Sequence, residues 1–130
     1  MLCHISLRLG PTPRQPQGCN DIGYEITAPL DRSGYLDASE LRAQKGRCRV
    51  AHFARGEPHR YGQLIYRDGA NGRGMWAIDY GTSRSGDDED AYGLDEHCFE
   101  VGECVRMRDC HGAFLPFTVV RVEPVIGEYP

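Results

Sequence analysis

Alternating apolar and polar residues near the end of the chain predict its clearest structural element, a β-hairpin. Val105 and Met107 lie on one face of the first predicted strand, with arginines on the other, as in a half-buried strand. The sequence Asp-Cys-His-Gly at residues 109–112 is typical of a turn. The β-branched and aromatic residues 117–122 predict the returning strand, which we expect to stop before Pro124.

The same two-residue period recurs along most of the chain. It predicts further strands over residues 3–9, 22–28, 48–54, 62–67 and 75–80. A glycine-rich connection over residues 68–74 predicts that the last two of these strands form a hairpin. The prolines of residues 11–18 predict an irregular surface loop. The pattern therefore indicates six or seven short strands.

One segment carries the signals of a short helix, predicted over residues 38–44. Asp37 suits the N-cap position, and Glu40 follows at the third helical position, as in a capping box. Gly46 suits the C-terminal cap. Leu41 is the one strong apolar residue between them, so we expect tertiary packing to hold this helix in place.

These elements predict a mainly β fold, a small antiparallel barrel or sandwich with one short helix. The 130 residues are enough for one domain with a real core, which we assign to residues 1–130. Residues 81–91 contain an acidic run and no core-forming side chain, and predict a mobile acidic loop. Residues 126–130 are expected to form a loose C-terminal tail.

Composition and charge narrow the classes of function. The formal net charge of −4 disfavours general affinity for nucleic acids, which depends on neutralising phosphates. Six basic residues and one acid lie in residues 42–60, whereas residues 87–103 hold eight acids and no Lys or Arg. They are either two solvated faces or a polarised surface that steers a charged partner or lets copies of the chain stack head to tail. No apolar run is long enough to span a membrane, and no signal-peptide cleavage site is evident, so we expect a cytoplasmic protein.

Three stretches support a comparison with known proteins. Residues 99–122, with Val-Gly-Glu leading one strand and Val-Val-Arg-Val in the other, resemble the hairpins of small Src-homology-like barrels. Together with residues 28–37 (APLDRSGYLD) and 75–81 (MWAIDYG), the chain looks like a group of small uncharacterised bacterial proteins. The resemblance implies a small barrel of a kind that binds peptides, nucleic acids or other domains, or serves only as structure. It implies no catalytic residue, and a shared fold leaves the function open.

Six cysteines are many for this length, and without a visible export signal we expect reduced thiols. His97, Cys98, Cys110 and His111 are the candidate metal ligands, because zinc favours thiolate and imidazole donors. The five-residue spacings between Cys98, Cys104 and Cys110 are not those of a zinc knuckle. The alternative is that Cys104 is a small core residue and the others lie apart. No cofactor is expected.

A nucleophilic cysteine needs a neighbouring base or positive charge that stabilises its thiolate. Cys48 is the candidate, because it lies between two arginines and shares a predicted strand face with His52. The alternative is that His52 is an ordinary packed or edge histidine.

The predicted hairpin of residues 61–80 is rich in aromatic side chains. If the face that carries Trp76 and Tyr80 turns inward, these rings belong to the core. If it is exposed beside Arg49 and Arg55, it forms an aromatic and basic groove, with Tyr66 nearby, that grips a peptide or a single-stranded nucleic acid. These five residues are the candidate ligand-binding residues.

No assembled catalytic motif is evident in the sequence. We therefore expect a non-catalytic binding or accessory module with a protein or peptide as its partner, and a monomer or weak homo-oligomer. Nucleic acid and membrane partners are not expected. A small cysteine- or zinc-dependent enzyme is the alternative, and a single-stranded nucleic-acid binder is a third hypothesis.

Overall fold

The structure is a computed structural model that describes residues 1–44, 46–68, 74–79, 89–90, 97–108 and 114–125. Its elements in chain order are β1 (Leu2–Leu9), β2 (Cys19–Pro29), α1 (Ala38–Ala43), β3 (Arg49–Phe53), β4 (Arg60–Asp68), β5 (Gly74–Asp79), β6 (Glu89–Asp90), β7 (Cys104–Arg108) and β8 (Phe114–Pro124). None of the described helices has the length and apolar character needed to cross a membrane.

All strands belong to one antiparallel sheet with the order β6-β5-β4-β3-β2-β1-β8-β7. The sheet curls into a half-barrel, and α1 is the one helix of the described chain. The prediction of a mainly β, antiparallel, barrel-like fold with one short helix is therefore confirmed. Strands β1 to β5 follow each other in the sheet, as strands that are consecutive in the sequence usually do. Strand β8 returns to pair with β1 on its other side.

The core lies on one face of this sheet, and strand alternation determines which side chains reach it. Ile5 and Leu7 of β1 are fully buried. Ile26 on β2 lies opposite Ile5, and Val119 on β8 lies opposite Leu7, so the same face continues across three strands. Burying one such aliphatic side chain contributes about 1.5–3 kcal/mol to stability. We call this the inner face of the sheet, and the opposite one the outer face.

Helix α1 begins and ends almost where the sequence predicts. The Asp37 carboxylate accepts a hydrogen bond of 3.1 Å from the backbone N–H of Glu40, which satisfies one of the unpaired amides of the first turn. Gly46 has a φ of +91° after the last turn, a conformation that favours glycine. Leu41 is buried in the core, so tertiary packing holds this six-residue helix against the sheet.

The hairpin of β7 and β8 is confirmed, with Val105 and Met107 buried on the inner face. Strand β8 is longer at both ends than the predicted 117–122, because β7 pairs with it from Phe114 and β1 pairs with it as far as Pro124. The N–H of Val125 donates to the carbonyl of Leu2 in β1. The backbone N–H and C=O groups of successive residues in a strand point in opposite directions. The nitrogen of Pro124 therefore faces away from β1, on the side where no donor to β1 is needed.

Several predictions fall wholly or partly outside the described residues. Of the predicted acidic loop, only Glu89–Asp90 are described, and they form β6 by pairing with β5. The predicted tail and the turn between β7 and β8 lie outside the described residues. The expectation that Cys104 is a core residue is wrong, because Cys104 begins β7 on the face opposite Val105 and is exposed.

Candidate functional site

A cluster of polar side chains lies on the outer face of β1 and β2. His4, Ser6 and Arg8 alternate with buried residues of β1, and Glu25 of β2 lies directly opposite Ser6. The Glu25 carboxylate contacts all three. Its Oε1 lies 2.6 Å from His4 Nε2 and accepts a 2.6 Å hydrogen bond from Ser6 Oγ. Its Oε2 accepts a 2.6 Å hydrogen bond from Arg8. We call these four residues the Glu25 network.

The electrostatics of the Glu25 network favour the ionised form of the carboxylate. Partial burial pushes the pKa of Glu25 up, but hydrogen bonds from Ser6, Arg8 and His4, together with the Arg8 charge, outweigh it. The pKa of Glu25 therefore lies below its ordinary value. A carboxylate with a lowered pKa is a poor general base.

The geometry of the Glu25 network also differs from that of a Ser-His-acid triad. In a triad the imidazole lies between the hydroxyl and the carboxylate and takes the proton of the hydroxyl. Here the carboxylate of Glu25 lies between Ser6 and His4. The network is therefore suited to holding the position of Arg8 rather than to activating the Ser6 hydroxyl.

Aromatic side chains continue this surface across β3 and β4. The guanidinium carbon of Arg8 lies 4.8 Å from the centre of the Phe53 ring. The His59 ring lies 5.9 Å from that of Phe53 and 6.2 Å from that of Tyr61, measured between ring centres. The side chain of Tyr61 is 67% exposed. We call Arg8, Phe53, His59 and Tyr61 the outer strip.

Gly23 allows Arg8 of β1 to reach Phe53 of β3 across the strand between them. It lies opposite Arg8 on one side and opposite Phe53 on the other, in the middle strand of the three. A Cβ atom at this position would lie 2.0 Å from the carbonyl oxygen of Leu7 and 3.2 Å from Cδ of Arg8. Because glycine has no Cβ, the strands approach closely here and Arg8 can extend across Gly23 onto Phe53.

Of the four described candidates for ligand binding, Tyr66 and Trp76 pack together on the inner face, whereas Arg49 and Arg55 do not join them. Trp76 is only 2% exposed and packs edge-on against Tyr66 on the inner face, with 5.1 Å between ring centres. Arg49 is exposed on the outer face, which it shares with Phe53. Arg55 donates a 2.9 Å hydrogen bond to Asp21 in a surface ion pair. Tyr80 lies outside the described residues.

Cys48 and His52 are not arranged as a nucleophile and its base. They are four residues apart along an extended chain, a separation of about 13 Å. The His52 ring stacks on Tyr24 instead, with 4.4 Å between ring centres. Cys48 is buried, and burial together with the negative charge of Glu40 raises the pKa of its thiol to about 11, against a smaller opposing effect of Arg47. At neutral pH this thiol is protonated and a weak nucleophile.

Two of the four candidate metal ligands, Cys110 and His111, lie outside the described residues. His97 and Cys98 are partly buried, and the Cys98 thiol donates to the carbonyl oxygen of Ser33 at 3.2 Å. Within the part of the chain that the structure describes, no three His, Cys, Asp or Glu side chains meet in a way that could hold a metal ion.

Sequence reasoning missed the Glu25 network, and none of the four residues of the outer strip was among the predicted ligand-binding residues. Alternation in β1 does place His4, Ser6 and Arg8 on one face, but no local signal names Glu25 as their common partner. The comparisons with known proteins find no matching family model, no matching curated protein and no matching solved structure. A function therefore has to be inferred from these side chains themselves.

Proposed function

We propose that the protein is a non-catalytic binding module that recognises a protein or peptide partner through the outer strip. The observation that carries this proposal is the exposed aromatic surface that Tyr61, His59 and Phe53 form beside the guanidinium of Arg8. Tyrosine and arginine are enriched where protein interfaces gain most of their binding energy.

The Glu25 network supports the proposal because it holds this surface in place before a partner arrives. Arg8 donates to both the Glu25 carboxylate and the backbone carbonyl of Leu7, so the position of its guanidinium over Phe53 is determined by two contacts. Side chains that are already ordered lose less conformational entropy on binding, which favours affinity.

The charge of the site favours a protein or peptide over a nucleic acid. Arg8 is the cation of the outer strip, and Glu25 pairs with it at 2.6 Å. The four residues of the outer strip therefore leave little net positive charge for phosphates, on which affinity for nucleic acids depends. The aromatic rings and their polar edges instead suit a peptide that offers apolar side chains and backbone hydrogen-bonding groups.

A cysteine-dependent enzyme has less support, because burial keeps the Cys48 thiol protonated and His52 stacks on Tyr24. We assign the protein to the cytoplasm, which is consistent with the five described cysteines being free. The sequence resemblance to Src-homology-like barrels stays a prediction.

The test is a peptide selection followed by a matched pair of variants. A library of random peptides is selected on the wild-type protein, and the selected peptides are titrated by calorimetry against Tyr61→Ala and Tyr35→Ala. Tyr35 is the control, because it is 39% exposed but lies in the turn before α1, away from the outer strip. We expect Tyr61→Ala to weaken binding at least about tenfold and Tyr35→Ala to leave it unchanged.

The proposal would be refuted if no peptide were selected, or if the two tyrosine variants bound the selected peptides equally well. Catalysis by a thiol would instead be indicated by alkylation of Cys48 in the folded protein with a midpoint well below pH 8.5, the approximate pKa of an ordinary thiol.

A further inference from the structure

Among the described strands, none pairs with one side of β8 over its last five residues. Strand β7 pairs with β8 as far as Thr118, and the N–H of Gly102 then donates to the carbonyl of Val119 at 2.8 Å. Beyond Val119, no strand within the described ranges pairs with this side of β8. Residues 120–124 therefore present an open sheet edge, of the kind that accepts another strand.

The backbone of Val122 faces this open edge. The N–H of Val125 donates to Leu2 in β1 at 2.9 Å, and the direction of these groups alternates along a strand. The N–H and C=O groups of Arg121 and Glu123 therefore point towards β1, with which both residues are paired. Those of Val122 point the other way, so this residue offers both a donor and an acceptor to an incoming strand.

Two opposite charges flank Val122 symmetrically. Arg121 and Glu123 lie on the outer face, and their side chains are 63% and 60% exposed. Within one chain they form only a loose pair, with 3.6 Å between Arg121 Nε and Glu123 Oε1. Exposed pairs of this kind contribute little to stability, so both groups remain available for a stronger arrangement.

We propose that the open edge of β8 pairs with the same edge of a second copy of this chain. An antiparallel pairing centred on Val122 lets the two Val122 residues exchange both backbone hydrogen bonds. It also places Arg121 opposite Glu123 of the second copy, and Glu123 opposite Arg121 of the second copy. Both cross-strand pairs are then attractive, as a two-fold interface requires.

The charges select this register over its neighbours. A pairing centred on Arg121 would place two arginines opposite each other, and one centred on Glu123 would place two glutamates opposite each other. Like charges directly opposite in an antiparallel pair are destabilising. The sequence Arg-Val-Glu at 121–123 is therefore self-complementary in one register only.

The short edge limits the strength of the dimer. Five residues of β8 are open with respect to the described strands, and Pro124 offers a carbonyl but no N–H, so few backbone hydrogen bonds can form. We therefore expect reversible association between about 10 µM and 1 mM. The dimer uses the sheet edge rather than the outer strip, and so does not depend on the function proposed above.

The first test uses charge complementation, measured by sedimentation equilibrium at low ionic strength, where exposed charges are least screened. Arg121→Glu places acids at both positions 121 and 123 of the edge, and Glu123→Arg places arginines at both. Each variant alone is expected to associate at least about tenfold more weakly than the wild type. An equimolar mixture of the two is expected to recover association, because both acids of one chain would then face arginines of the other.

The second test uses the unchanged protein. Hydrogen exchange of the Val122 amide, followed by NMR, is expected to slow as the protein concentration rises. The amides of Arg121 and Glu123 are the internal control. Both pair with β1 in the monomer and in the dimer, so they should be protected at all concentrations.

Three results would overturn the proposal. The first is a protein that stays monomeric up to about 1 mM, in which case Pro124 and the charges serve to block edge pairing. The second is a dimer whose association the charge reversals do not change, which would place the interface elsewhere. The third is a Val122 amide whose exchange does not depend on concentration. Recovery in the mixture together with concentration-dependent protection of Val122 would establish the dimer.

Discussion

Replacing Glu25 by glutamine tests whether one carboxylate holds the outer face together. Its two oxygens contact Ser6, Arg8 and His4, each at 2.6 Å, and its side chain is 27% exposed. Glutamine has nearly the same volume, but only one of its two terminal atoms can accept a hydrogen bond. At least one donor of the network therefore loses its partner, and the charge opposite Arg8 is lost as well.

The magnitude follows from the number and exposure of these contacts. A hydrogen bond to a charged group contributes about 1.5–3 kcal/mol, so three in a dry site would exceed 4 kcal/mol. Water can replace part of them here, because Glu25, Arg8 and His4 are all partly exposed. We expect Glu25→Gln to lower the free energy of unfolding by about 2 kcal/mol near neutral pH.

The loss of unfolding free energy in Glu25→Gln should also depend on pH, and the lowered pKa of Glu25 determines in which direction. A carboxyl whose pKa is lower in the folded state stabilises the protein fully above its unfolded-state pKa, near the ordinary value of 4.5. That contribution is lost as the pH falls below this value through the folded-state pKa. The difference between wild type and Glu25→Gln should therefore shrink as the pH falls below 4.5.

Urea unfolding followed by the fluorescence of Trp76 measures this difference, because Trp76 is the single tryptophan and is buried. Glu123→Gln is the matched control. It removes an acid that also lies on the outer face, and the closest contact of this acid with Arg121 is 3.6 Å. The substitution should lower the free energy of unfolding by less than about 0.5 kcal/mol. Equal losses in the two variants, or a Glu25→Gln difference that persists unchanged in acid, would refute the reasoning.

Two further predictions concern close approach and thiol chemistry. Gly23→Ala should lower the free energy of unfolding by more than about 2 kcal/mol, because its Cβ would lie 2.0 Å from the Leu7 carbonyl oxygen. A neutral result in urea unfolding would contradict the close approach of the two strands. In the folded protein at neutral pH, iodoacetamide should label exposed Cys104 much faster than buried Cys48, as judged by mass spectrometry of peptides. Equal labelling rates would show that the Cys48 thiol is accessible.

Local patterns were sufficient to predict most elements of the fold. Alternation in β1 (Leu2–Leu9) identifies the inner face without any knowledge of its partners, since successive side chains of a strand point to opposite faces. The N-cap of α1 is equally local, because Asp37 and the amide that it caps lie three residues apart. The ends of β8 were not predictable in this way, because pairing with β7 decides where that strand begins and pairing with β1 decides how far it continues.

The sequence by itself therefore determined the β class, the faces of the strands and the place of the helix, because each depends on residues close together in the chain. Only the tertiary structure decided which side chains meet across strands. Glu25 lies 17 to 21 residues from Arg8 and His4 along the chain, and reaches both because β1 and β2 pair in one register. That register depends on the packing of the inner face as a whole, and a shift by one residue would move Glu25 to the other side of the sheet.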